Sequence, residues 1–71
     1  MKKLAVEALR HKYKAQQKSA EYVFKNYTIN PAAIGEHPDL LEEMDKAVQS
    51  WADARDKLES LEVLDSEING Y

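Results

Sequence analysis

A chain of 71 residues makes one domain at most, and at that size a single core seldom supplies more than about 3 to 5 kcal/mol without a disulfide, a metal or a partner. Cysteine is absent, which excludes a disulfide staple, a thiolate metal site and a thiol nucleophile together. With 44% hydrophobic and 32% charged residues and a net charge of −3, the sequence has enough apolar material to fold, and its overall charge repels phosphate.

Residues 2–28 read as one helix. Val6, Leu9, Tyr13, Gln16, Ala20, Val23 and Tyr27 alternate at spacings of three and four, which is the seam of a coiled coil, and only Gln16 in the series is strongly polar. The opening "MKKLAVEAL" has two lysines, but Glu7, Arg10 and Lys12 interrupt it before an apolar run can form. Neither a secretory leader nor a membrane span is expected, and the expected compartment is the cytoplasm. The segment is basic: residues 1–27 hold seven lysines and arginines against Glu7 and Glu21. Arg10, Lys14, Lys18 and Lys25 run along one side of the helix and form a candidate basic face for nucleic acid.

The segment "NPAAIGEHPD" interrupts this pattern with two prolines and a glycine, so residues 29–37 are expected to be the interhelical loop. Asn30 precedes a proline and is biased away from the helical region; it can cap a short turn begun at Pro31 and closed at Gly35. The second helix then starts at Pro38, or within two residues of it with Asp39 as its cap and Glu42 reaching back. Glu36, His37 and Asp39 resemble metal ligands, but each has an ordinary role beside a proline or at a positive helix end. A real site would want a second histidine or a cysteine at matching spacing, so no metal and no cofactor is expected.

The second helix is expected over 38–63. Leu40, Met44, Ala47, Trp51, Ala54, Leu58 and Leu61 again alternate by four and three, and all are apolar. Phe24, Leu41 and Val48 lie beside the two seams and widen the apolar stripe, so with Trp51 they form the candidate face for a partner or a second copy. Trp51 itself is read chiefly as a seam residue, its indole N–H donating to the Gln16 amide. Residues 64–71 are a C-terminal tail, either a continuation of the helix through Leu64 and Ile68 or an arm that folds on a partner.

The fold class is therefore all-α. One domain of residues 1–71 forms an antiparallel two-helix hairpin in which facing residues sum to about 67, and which assembles into a four-helix bundle or docks on a partner. From residue 36 onward eleven acids face three cations, so the two helices are of opposite sign; Lys2 and Lys3 are expected beside Glu59, Glu62 and Asp65. No glycine-rich phosphate cradle or catalytic constellation is present, and two helices enclose no deep pocket, so neither catalysis nor a small-molecule substrate is expected. The expected function is a protein–protein interaction module acting on itself, on another protein, or both. The alternative is a nucleic-acid-associated protein using the basic face.

The stretch "GEHPDLLEEMDKAV", with the later "DKLESLE", resembles short hairpin proteins of unknown function encoded by tailed bacteriophages, over about residues 30–64. That resemblance implies a viral protein working in the host cytoplasm or in the virion, as an effector that binds a host protein or as a virion or assembly component. It supplies no functional residue.

Overall fold

The structure, a computed structural model, describes residues 2–29 and 39–69. Residues 30–37 of the expected loop 29–37, with Glu36 and His37 of the metal alternative, lie outside the described residues, as do Met1, Pro38 of the expected second helix, and Gly70 and Tyr71 at the end of the tail. Ile29, expected in the loop, is instead the last residue of the first helix, where no proline or glycine yet interrupts the run. Two helices account for the rest: α1 (Lys2–Ile29) and α2 (Leu40–Asn69). They run antiparallel, as the pairs Arg10–Glu62 near one end and Glu21–Trp51 farther along require.

Both helices follow from local sequence. Ala, Leu, Glu, Lys and Gln dominate, and no proline or glycine interrupts either run. The N–H of Glu43 donates to the carbonyl of Asp39 at 3.1 Å, which places Asp39 at the N-cap of α2, with Glu42 and Glu43 in the first turn against the positive end of the dipole. No side-chain bond of Asp39 or Glu42 completes a capping box among the described residues. Residues 64–69 continue α2, so the helix is six residues longer than 38–63 would make it at this end. Leu64 and Ile68 keep the helical spacing, and nothing breaks it before Gly70.

The two helices meet through small side chains. Among the described residues, Ala20, Ala47 and Ala54 are buried, Ala54 with 0% exposure, and no large side chain is fully buried. Alanine at these positions lets the backbones approach closely, and Tyr13, Tyr27, Leu40, Trp51, Leu58 and Leu61 of the seams are half-buried. Leu9 and Val23, both seam positions, remain more than a third exposed. The result is a rod of 53 × 16 × 14 Å with a radius of gyration of 16.0 Å. A compact domain of this length has a radius of about 11 Å.

Candidate interaction surface

Positions 10, 17 and 24 on α1, and 41, 48, 55 and 62 on α2, repeat every seven residues beside their seams. They form a flank of each helix, and the Arg10–Glu62 contact places both flanks on the same side of the hairpin.

In the half nearer residues 29 and 40 this side carries an apolar groove of about 230 Å³. Ala20 and Ala47 form its floor, Phe24, Val48 and Trp51 its walls, and Glu21 and Lys25 its rim. Phe24 is 38% exposed and Val48 51%. The fold thus brings together three of the four side chains assigned from sequence to a partner face. The fourth, Leu41, stands outside the groove and is 82% exposed.

Trp51 is held differently from the expected pairing with Gln16. Its Nε1 donates to Glu21 Oε2 at 3.3 Å, and the Arg55 guanidinium lies 5.4 Å from its ring centroid. Gln16 instead donates to the Ser50 carbonyl at 2.9 Å, with Ser50 Oγ at 3.4 Å. The Gln16–Ser50 numbers add to 66, one short of the expected sum. The register therefore holds while the side-chain partner changes, because helical side chains lean toward their own N-terminus. Trp51 leans toward residue 47, opposite Ala20 and Glu21, and away from Gln16. The same lean carries Lys57 over the Tyr13 ring, at 5.8 Å from its centroid.

The half of this side nearer the termini is polar. Arg10 Nε donates to Glu62 Oε1 at 2.8 Å, and Arg10 Nη2 lies 4.0 Å from Asp65 Oδ2. Lys14 shares a shallow depression with Leu58, Glu59 and Glu62. Two of the three acids expected to meet Lys2 and Lys3, Glu62 and Asp65, are thus engaged by Arg10, and those two lysines form no ion pair among the described residues. The reason is the same lean: Arg10 reaches back one turn toward Glu62 and Asp65, whereas Lys2 and Lys3 lean off the end of α1. The hydrogen bond to Glu62, helped by its charge, raises the guanidinium above its ordinary value, and Glu43 raises the Lys46 ammonium in the same way. A cation raised by its partner stabilises fully below its ordinary pKa and loses that contribution only as pH climbs through the raised one. Neither pair therefore adds pH dependence near neutrality.

The candidate basic face is only partly formed as a free surface. Lys14, Lys18 and Lys25 are exposed, but Arg10 is turned toward α2 and Lys25 stands on the rim of the apolar groove. No group of three or more His, Cys, Asp or Glu side chains that could hold a metal occurs among the described residues, and no described helix is long and apolar enough to cross a membrane. Glu21 and Arg55 were missed from sequence. Arg55 is legible one turn after Trp51, while Glu21 becomes visible only when side-chain lean is added to the register. No protein-family model matches the chain, and neither a curated protein nor a solved structure does.

Proposed function

We propose that this chain is a protein–protein interaction module without catalysis, whose Phe24–Val48–Trp51 groove receives a helix from another polypeptide. The observation that supports the reading is the content of the hairpin's own interior: among the described residues, three buried alanines and no fully buried large side chain. Such an interior leaves apolar side chains of both helices in contact with water, and among them Phe24 and Val48 gather with Trp51 in one groove where further burial is available. A groove with alanines below and an aromatic wall suits helix-in-groove recognition, in which a few apolar side chains one turn apart enter the cleft. On the resemblance over residues 30–64, the chain is further proposed to be phage-encoded and to act in the host cytoplasm or the virion, on a host protein or an assembly partner. The alternative of nucleic-acid association draws on exposed Lys14, Lys18 and Lys25; the turning of Arg10 to Glu62 and the net charge of −3 weigh against it.

The test is a photo-crosslinking residue placed at Phe24 in producing cells, compared with the same residue at exposed His11, which lines neither the groove nor the polar depression. Position 24 is expected to yield discrete polypeptide adducts and position 11 none. Absence of adducts at both, or equal adducts at both, would contradict the reading.

A further inference from the structure

We infer that the groove is covered by a second copy of this chain, related by a two-fold axis parallel to the helices so that α1 of one protomer lies against α2 of the other. This rests on the interaction reading above and names the occupant.

Surface area is the first argument. The chain exposes 5645 Å². A compact monomer of 8.1 kDa exposes about 4,500 Å², so the hairpin carries an excess of about 1,100 Å². A standard stable interface removes about 800 Å² from each partner, which this excess accommodates.

Charge and chemistry along the flank choose the arrangement. The groove side is apolar in one half, at Phe24, Val48 and Trp51, and charged in the other, with Arg10 and Lys14 on α1 and Glu59 and Glu62 on α2. Two copies can bring this same side together in two symmetric ways. A two-fold axis perpendicular to the helices reverses the rod, stacks α1 on α1, and sets the apolar half of one copy against the charged half of the other. A two-fold axis parallel to the helices preserves the level. Phe24 then comes over Val48 of the second copy, and Lys14 comes to the level of the second copy's Glu59. It also sets α1, with seven cations and two acids, against α2, with three cations and nine acids, and makes every neighbouring helix pair antiparallel. Only this second arrangement matches apolar with apolar and cation with anion along the whole flank.

The absence of native cysteine allows a clean test. Phe24→Cys and Val48→Cys proteins are oxidised separately and as an equimolar mixture, with helicity checked by circular dichroism and mass by light scattering. The expected result is a particle of twice 8.1 kDa at micromolar concentration and a disulfide-linked dimer that forms in the mixture and is lost in either protein alone. Lys14→Glu is expected to weaken the dimer several-fold, and adding Glu59→Lys to restore it. Two outcomes overturn the inference: a fully helical monomer across the micromolar range, or linkage of 24 to 24 and 48 to 48 in the separate proteins. A folded monomer that still gives adducts with a different polypeptide at position 24 would overturn the second copy while leaving the interaction reading intact. A monomer without adducts would remove both.

Discussion

The two halves of the groove side use the same heptad positions for opposite purposes. Nearer residues 29 and 40, Phe24, Val48 and Trp51 surround an alanine floor and remain open; nearer the termini, the equivalent stripe carries Arg10 and Glu62, which satisfy each other at 2.8 Å. The polar half adds little stability, since exposed ion pairs contribute marginally, but it is directional and selects which helix ends lie together. The apolar half is the reverse: non-directional, incompletely covered, and the place where additional burial would stabilise most. In a rod whose buried described residues are alanines, the pairing that orients the helices and the open apolar area therefore occupy different segments of one surface.

Trp51→Ala is the largest perturbation of the apolar half. It removes the groove wall and should cost about 3 kcal/mol, the lower end for a large aromatic because Trp51 is only half-buried within one hairpin. Urea unfolding at two protein concentrations checks this. The loss should be larger at the higher concentration, where the ring is covered; a concentration-independent loss would assign Trp51 to the hairpin alone. Ala54→Leu comes next. At a position with 0% exposure it forces the helices apart and should cost about 1 to 3 kcal/mol, nearly equally at both concentrations. Arg10→Ala disturbs the polar half. It should lower the thermal midpoint slightly in low salt and not at all in high salt, and leave the particle mass unchanged. Smallest of all is the effect of duplex DNA. Binding should be no tighter than the ~10⁻⁴ to 10⁻⁶ M of non-specific contacts, and submicromolar affinity abolished by Lys14→Glu and Lys18→Glu would move the functional surface to the basic face.

What could be read from sequence divides along the same physical line. Helix identity and register depend on spacing, and the alternation from Val6 to Tyr27 and from Leu40 to Leu61 contains both; buried Ala20 and Ala47 face each other as that alternation requires. The gathering of Phe24, Val48 and Trp51 was legible as well, because all three border the seam. Polar partners were not. Gln16 reaches Ser50, Trp51 reaches Glu21 and Arg10 reaches Glu62 because long side chains lean along the helix by most of a turn, a displacement that residue spacing alone does not carry. The length of α2 stays open between a helix and an arm in the sequence for a different reason. Leu64 and Ile68 keep the helical interval but are more than half exposed, so the spacing allows the helix to continue while no buried stripe requires it.

The most direct measurement is hydrogen exchange read peptide by peptide at nanomolar and at high micromolar concentration. If the apolar half is where a second copy sits, protection of residues 20–25 and 47–51 rises with concentration, well beyond any change at residues 4–10 and 62–68. Equal protection at both concentrations in a fully helical chain, or a rise confined to the segments near the termini, would contradict that placement.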